Sequence, residues 1–444
     1  MRLILSKHPA SKLWQSPRTI VLVALLLRLF VLCVAHYHED PGHRRLESLG
    51  SESLVIGRSL AAGNGFASPF PGYDAPTVWL APVYPWLASL AVRISNFDGY
   101  KSGLFCQILN CIFSALTCWP IYDVGKRALT AKTGVAAAWL WVFLPSAILM
   151  PLQWTSDQSL SALLLGAILS ATFRVRRSAR VYHWAGYGIL CGVAALTNPM
   201  LSVLFPFLAI WLAWDRRNNA LPSRLVISTA ALLFLLVLLP WAVRNRIQVG
   251  SFSFVDSSTK LSLWIGNNPN SQEINSAKQT PALNARELQQ LQALGELQYI
   301  ALKDREAWDF IRTHPARFAS RCYYRFVDIW TGNYDSTVDP LVRKTQLRLT
   351  YIEYLTLWSA LAFAGLGFAF ITNAWDSMPL AFCVLLFPIP YYLTVSELHY
   401  RHPIDPMLAI LAVVCLERLG EIFLTLREAE TVEAKPNLAA QAPA

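Results

Sequence analysis

An all-α protein that threads a membrane about ten times is what three features of this sequence predict. Hydrophobic residues fill 54% of the 444 positions and charged residues only 15%, with a mean hydropathy of +0.37. A soluble domain carries about 25% charge, so a water-soluble globule, a disordered chain and a small disulfide scaffold are excluded. The second feature is the recurrence of apolar runs close to the ~20 residues needed to cross the hydrocarbon core. The third is the placement of Lys and Arg in alternate loops, which gives those runs a direction.

The first run, Thr19 to His36, follows Arg2, Lys7, Lys12 and Arg18. A cleavable signal peptide has the same positive flank, but Arg28 interrupts the run and no small-residue cleavage site follows. The run therefore reads as an uncleaved first helix. Further runs lie near 103–123, 133–150, 157–173, 184–199, 200–214, 225–243, 350–371, 377–394 and 404–424. The pair 184–199 and 200–214 is broken by Asn198-Pro199 and reads as one hairpin or two crossings.

Lys126, Arg127 and Lys132 follow the second run, Arg174, Arg176, Arg177 and Arg180 the fourth, and Arg216, Arg217 and Arg224 the sixth. The intervening short loops lack Lys and Arg, apart from Arg401 before the last run. The positive-inside rule then puts both termini and the basic loops in the cytoplasm. The expected organisation is a cytoplasmic tail at 1–18, helices 1–7 within 19–243 with an extracytoplasmic loop at 37–102, a partly helical extracytoplasmic segment at 244–349, helices 8–10 within 350–424, and a disordered cytoplasmic tail at 425–444. Asn284 to Arg312 carries the helical pattern of the second outer segment.

The net charge of +10 is what cytoplasmic loops collect, and no nucleic-acid motif accompanies it, so nucleic acid is not expected as a partner. Of the eight cysteines, seven fall in apolar runs and none forms a C-x-x-C pair, so they read as small buried hydrophobes.

A transporter places ionisable groups near the membrane midplane. Here Arg28 is the main such residue, and charged and aromatic residues crowd the outer mouth instead. That distribution suits chemistry at the outer surface on a substrate with one end in lipid. In the first outer loop, Leu54, Ile56, Leu60 and Ala61 outline a short amphipathic helix along the interface, stopped by Gly63. Thr77-Val-Trp79-Leu-Ala-Pro82-Val-Tyr84-Pro-Trp86 is an aromatic, proline-rich stretch of the kind found at headgroup level. Glu52 on that helix is positioned to act as a general base toward a hydroxyl; a solvated helix face would use the same residue.

Glu52 with Ile56-Gly-Arg-Ser-Leu, Gly63-Asn-Gly-Phe and Pro76-Thr-Val-Trp-Leu-Ala-Pro-Val-Tyr-Pro resembles the first outer loop of bacterial membrane glycosyltransferases of the GT-C superfamily. The similarity is to the protein-O-mannosyltransferase-like and aminoarabinose-transferase-like branch. Further pieces match in order: Asn110-Cys-Ile-Phe-Ser-Ala-Leu-Thr-Cys-Trp-Pro-Ile, Thr155-Ser-Asp157, Ala194-Ala-Leu-Thr-Asn-Pro, Leu239-Pro-Trp-Ala-Val-Arg-Asn, Leu263-Trp-Ile-Gly-Asn-Asn, His314-Pro-Ala-Arg-Phe and Tyr400-Arg-His-Pro-Ile-Asp-Pro. The likeness covers residues 15 to 425.

The resemblance implies transfer of a sugar from a polyprenyl-phosphate donor to a lipid, glycan or protein acceptor at the outer face, with inversion, in a bacterial inner membrane. The family's base is most often an Asp opening the first-loop helix. This sequence departs there, with Leu49-Gly50-Ser51 before Glu52 and Glu39-Asp40 too early, so Glu47 and Asp40 stand as rivals to Glu52. Asp157 matches the second acidic position; a helix N-terminal Asp favoured by the macrodipole is the plainer account. Cations for the donor phosphate would come from Arg244, Arg246, His399 and Arg401, with Arg58 and Arg28 as further contributors. Trp79 and Tyr84, with Pro82 and Trp86, would line a groove for the isoprenoid chain. No obligatory metal or other cofactor is expected, although His36, His38 and His43 with Glu39 and Asp40 form a local cluster. A non-enzymatic polyprenyl-glycan carrier and an inactive envelope scaffold are the alternatives.

Overall fold

The computed structural model describes residues 13–38, 51–70, 72–153, 155–252, 257–271, 279–332 and 346–433. Among them the structure is helical throughout, apart from two isolated antiparallel bridges, Ala67 with Pro76 and Phe70 with Tyr73, which fold one loop back on itself.

The first helix, α1 (Pro17–His38), is followed by α2 (Ser51–Ala61) and α3 (Val83–Ile94) in the first outer loop. The bundle continues with α4 (Gly99–Leu116), α5 (Cys118–Ala128), α6 (Ala131–Phe143), α7 (Pro145–Gln153), α8 (Gln158–Val175), α9 (Val181–Ala195), α10 (Phe205–Asn218) and α11 (Arg224–Gln248). The second outer segment supplies α12 (Ser258–Gly266), α13 (Ala285–Leu294), α14 (Glu296–Thr313) and α15 (Pro315–Thr331). The chain then returns to the bundle through α16 (Gln346–Leu386), the short α17 (Ile389–Leu393), a 3-10 turn at Leu398–Ile404, and α18 (Asp405–Glu433).

Five described helical stretches are long and apolar enough to cross a membrane: Pro17–Tyr37, Gly99–Ala128, Gln158–Val175, Arg224–Gln248 and Ile352–Leu393. The pair α6–α7, bent by 47°, makes a sixth. Length and apolarity alone do not fix the expected count of about ten, because several runs are divided or short. Pro199 opens a 3-10 turn between α9 and α10. The break between runs 350–371 and 377–394 shows as non-helical backbone at Asn373 (φ −154°, ψ 81°) within α16. The helical pattern expected over 284–312 is likewise two helices, broken where Gly295 takes φ +73°. At the C-terminal end, α18 runs on to Glu433, past the start of the tail expected to be disordered.

Arg28 explains how the bent span survives in an apolar setting. An α-helix pairs each carbonyl with the N–H four residues on, and proline has none to give. Pro145 therefore orphans the carbonyl of Trp141, and Pro151 orphans that of Ala147. Arg28, fully buried, donates from Nη2 to Trp141 O (3.1 Å) and from Nε to Ala147 O (3.1 Å). It also donates to Ala24 O (3.0 Å) and Ser114 Oγ (2.9 Å), and the Ser114 hydroxyl donates to Ala147 O (2.8 Å). The midplane cation is thus committed to the fold, which removes it from the candidates for holding a donor phosphate.

Close helix contacts use residues without a side chain, as packing in lipid requires. A Cβ at Gly365 of α16 would lie 1.8 Å from Leu411 O of α18, and one at Gly188 of α9 2.1 Å from Ala230 O of α11.

Ion pairs identify one end of the bundle. Asp123 Oδ2 takes Arg127 Nε (2.9 Å), Arg174 Nε (3.1 Å) and the Ser170 hydroxyl (2.6 Å). Arg176 bridges Asp215 (2.6 Å) and Asp376, and Thr133 donates to Glu417 (2.7 Å). The three basic loops, the Asn373 break and the middle of α18 therefore share one end. The outer helices α2, α3 and α12–α15 gather at the other, where residues from both outer segments (Phe70, Tyr73 and Trp79; Leu261, Trp264, Leu291 and Tyr299) form a second apolar core.

Candidate active site

The amphipathic helix of the first outer loop is α2, and it does not lie with its apolar face on lipid. Leu54 packs with Ala88, Ala91, Val92 and Cys106, while Ile56 on its other flank packs with Phe66 and Trp241. Helix α2 is wedged between α3 and α11, and ends before Gly63, whose φ of +87° suits a residue without Cβ. This wedging brings Glu52, in the first turn of α2, into a half-buried position. Burial pushes its carboxyl up to about 7, opposed by a hydrogen bond from the Trp79 side chain.

Trp79 reaches Glu52 because the segments around Phe66 and Thr77 are pinned by two ionisable side chains, the buried Glu296 and the half-buried Arg244. Glu296, the first residue of α14, accepts from Thr77 Oγ1 (2.6 Å), Val78 N (3.2 Å) and Ser257 Oγ (2.8 Å). Its own N–H donates to the Tyr73 hydroxyl (3.1 Å), and burial raises its carboxyl above the ordinary range. Arg244, near the outer end of α11, donates to Thr77 O (2.6 Å) and Phe66 O (2.6 Å), stacking over Phe66 and Trp241. Both groups hold the same short segment against the bundle.

Asp157, at the start of α8, accepts from Ser161 Oγ (2.8 Å) and from the Asn198 side chain. Its neighbours Thr155 Oγ1, Ser156 Oγ and Gln158 Oε1 are buried with no hydrogen-bond partner among the described residues. A run of unpaired polar atoms is costly unless something else meets it. Tyr84 of α3 lies within electrostatic reach of Asp157, its hydroxyl donating to Asn110 Oδ1 (3.2 Å).

Tyr400 lies within electrostatic reach of both acids. Its hydroxyl is pushed well up by burial and then by negative charge nearby, Glu397 first, with Glu52 and Asp157 both contributing. Its ring stacks on Tyr391 at 4.8 Å and meets His399 at 4.2 Å. Glu52, Asp157, Trp79, Tyr84 and Tyr400 therefore border one region at the end of the bundle opposite the basic loops. Tyr400, Glu397, Asn198 and Glu296 were not among the residues singled out from sequence. Asn198 and Tyr400 lay inside the quoted motifs. The break at Gly295 was the signal available for Glu296.

The expected cations are dispersed. Arg401 is buried and turned to the bundle, with Nε on Asp405 Oδ1 (3.1 Å) and Nη1 on Ile329 O (3.2 Å) and Ser359 Oγ (3.1 Å). Arg246 is exposed and donates to Gly250 O (2.7 Å). His399 lies 3.2 Å from Glu397, and burial pushes its imidazole down, toward the neutral form. Arg58 is half-buried in the last turn of α2. The aromatic stretch also divides: Trp79 (2% exposed) joins the outer core, Tyr84 (3%) faces the bundle, and Trp86 (62%) is exposed.

Among the described residues there is no group of three or more His, Cys, Asp and Glu able to hold a metal. His36 is engaged with the Tyr100 hydroxyl (2.8 Å) and Gln107 Oε1 (2.9 Å). The rest of the proposed cluster except His38, and the rival bases Glu47 and Asp40, lie outside the described residues.

Residues 75–243 match the family described as dolichyl-phosphate-mannose-protein mannosyltransferase. Among solved structures, the chain is similar to the oligosaccharyltransferase AglB of Archaeoglobus fulgidus in complex with an inhibitory peptide and a dolichol-phosphate. That match has a TM-score of 0.58 and 15% identity over 96% of this chain and 52% of that one. The Archaeoglobus fulgidus oligosaccharyltransferase tethered with an acceptor peptide gives 0.53 and 15%, over 93% and 50%. ArnT of Cupriavidus metallidurans bound to undecaprenyl phosphate gives 0.41 and 11%, over 96% and 80%. This chain spans about half the length of the oligosaccharyltransferases it matches. Comparison with curated proteins gives no match. The chain thus shares the fold of the membrane part of these oligosaccharyltransferases, and its residues 75–243 are similar to the protein mannosyltransferases.

Proposed function

We propose that this protein transfers a hexosyl or pentosyl group from a polyprenyl-phosphate donor to an acceptor hydroxyl at the extracytoplasmic face, with inversion and with Glu52 as general base. The observation that carries the reading is the placement of Glu52 and Asp157 within electrostatic reach of the same buried Tyr400, at the end of the bundle opposite the basic loops. A base with its carboxyl raised to about 7 is matched to proton transfer at neutral pH.

In the proposed displacement the acceptor O–H proton passes to the Glu52 carboxylate as the oxygen attacks the anomeric carbon. The bond from that carbon to the phosphate oxygen breaks, and its electron pair leaves with the polyprenyl phosphate. A phosphate is a weakly basic leaving group, so positive charge rather than an acid is what it needs. Arg58, half-buried on α2, is the cation best suited to that role, because Arg244 is engaged by Thr77 O and Phe66 O and Arg401 by Asp405. Asp157 would orient the acceptor, with the unpaired Thr155, Ser156 and Gln158 groups beside it as further hydrogen-bonding capacity. The AglB complex with dolichol-phosphate supports a lipid phosphate as donor, since it is bound by a protein of the same fold.

Native mass spectrometry of protein purified in mild detergent tests the donor. A co-purified polyprenyl phosphate carrying a hexose or pentose, retained by Glu52→Gln but turned over only by the wild type, is the expected result. Retention of ordinary phospholipid alone, after polyprenyl-phosphate sugars have been added, would favour a scaffold and refute the proposal.

A further inference from the structure

Helix α8 is almost wholly enclosed, and its one open stripe is informative. Leu163, Ala167, Ala171 and Arg174, spaced by four, four and three residues, are its open positions along one face. They form one wall of a groove whose other wall is Leu116, Trp119 and Pro120, at the junction of α4 and α5. From Leu163 to Arg174 the stripe rises about 16 Å at 1.5 Å per residue, close to the ~15 Å of one leaflet's hydrocarbon. The small residues Ala167 and Ala171 keep it open.

At its basic end the groove opens, through Ala171 and Arg174, into a pocket of about 580 Å³ lined by Arg127, Arg174, Arg177, Ser178 and His183. Asp123 Oδ2 is shared between Arg127 and Arg174, while Asp215, paired with Arg176, lies within electrostatic reach of Arg177. Of the three guanidiniums, Arg127 and Arg174 share one contacting carboxylate and Arg177 has one only at longer range, so the pocket keeps an excess of positive charge at the membrane boundary. An apolar channel one leaflet long that ends in excess guanidinium charge is complementary to a single class of molecule.

We infer that this groove and pocket bind an anionic phospholipid of the cytoplasmic leaflet, its phosphate against Arg127, Arg174 and Arg177 and one acyl chain along the Leu163–Ala167–Ala171 stripe. The site lies at the opposite end of the bundle from Glu52 and Asp157. It rests on the membrane setting and the orientation expected from the basic loops, not on the proposed transfer reaction. The two halves of the site demand two features of the ligand together, a phosphate and a chain, which separates it from general attraction of basic loops to a charged surface.

The test is native mass spectrometry of the full chain in mild detergent, titrated with dioleoyl phosphatidylglycerol or dioleoyl phosphatidylcholine. The first phosphatidylglycerol should bind at least about tenfold more tightly than phosphatidylcholine. Combined Arg127→Gln and Arg177→Gln should weaken it by roughly tenfold to thirtyfold, leaving phosphatidylcholine unaffected. Arg174 is kept so that Asp123 retains one of its two guanidinium partners. Ala167→Trp, which fills the groove at a partly open position and leaves every charge in place, should weaken phosphatidylglycerol as well. Equal binding of the two lipids would overturn the inference, as would full retention in Ala167→Trp. Displacement of the lipid by millimolar inorganic phosphate would reassign the pocket to a free anion and overturn it too.

Discussion

Replacing Glu52 with Gln removes a charge that the fold holds at a cost, and both activity and stability should register the change. The carboxyl rises from 4.5 to about 7 on folding, through burial. At 1.36 kcal/mol per pH unit, ionising it in place costs about 3 kcal/mol, and solvent screening of a partly exposed group reduces that to roughly 1–3 kcal/mol. The sign follows from the direction of the rise. Wild-type stability is greatest below the unfolded carboxyl value of 4.5 and falls as pH climbs through the folded value of about 7. The glutamine variant carries no charge at this position and is free of that cost. At pH 8 it should therefore melt about 1–3 °C above wild type, the gap closing at pH 4. Transfer should fall by about 10²–10⁴, the contribution of a positioned base. The wild-type rate should rise with pH through a limb near 7, which the variant lacks. The assay is transfer from a polyprenyl-phosphate sugar in detergent, with melting followed across the same pH range. A variant that melts below wild type at pH 8 would refute the cost of burying the Glu52 charge, and one that transfers at the wild-type rate would refute its role as base.

The remaining expectations probe the supports of the site. Arg28→Met leaves the Trp141 carbonyl without a partner and the Ala147 carbonyl with Ser114 alone, and should cost about 2–4 kcal/mol. Adding Pro151→Ala, which restores an N–H for Ala147 O, should recover part of that in a thermal melt. Glu296→Ala withdraws an acceptor from Thr77, Val78 and Ser257, and should open residues 66–80 to hydrogen exchange and lower transfer without changing the exchange of α18. Gly266→Ala would put a Cβ 1.8 Å from Thr394 O, so the outer segment should lose its seat on the 389–404 region and trypsin should cut it faster. Treatment with EDTA should leave the transfer rate intact; a rate lost to EDTA and regained with a divalent cation would assign a metal to the reaction.

The membrane class and the grouping of the basic loops at one end were legible in the sequence, because each depends on composition or on charge along the chain. The stop at Gly63 was equally local, being a matter of one residue's backbone freedom. Glu52 and Asp157 were legible as candidates through motif order. Their convergence was not, since it depends on Tyr400, far away in sequence, and on the wedging of α2 between α3 and α11.

The cations show the limit most clearly. Arg28, Arg244 and Arg401 look alike on paper as positive charges near the membrane or its outer mouth. Composition and position determine that such residues are present and at what depth, because lipid and water sort side chains by transfer energy. Only the tertiary structure decides what each charge faces: Arg28 the carbonyls that two prolines orphan, Arg401 an aspartate one turn on, Arg244 the loop that carries Trp79 to Glu52. Hydrogen bonds reach about 3 Å, and residues brought that close can stand more than a hundred positions apart in the chain.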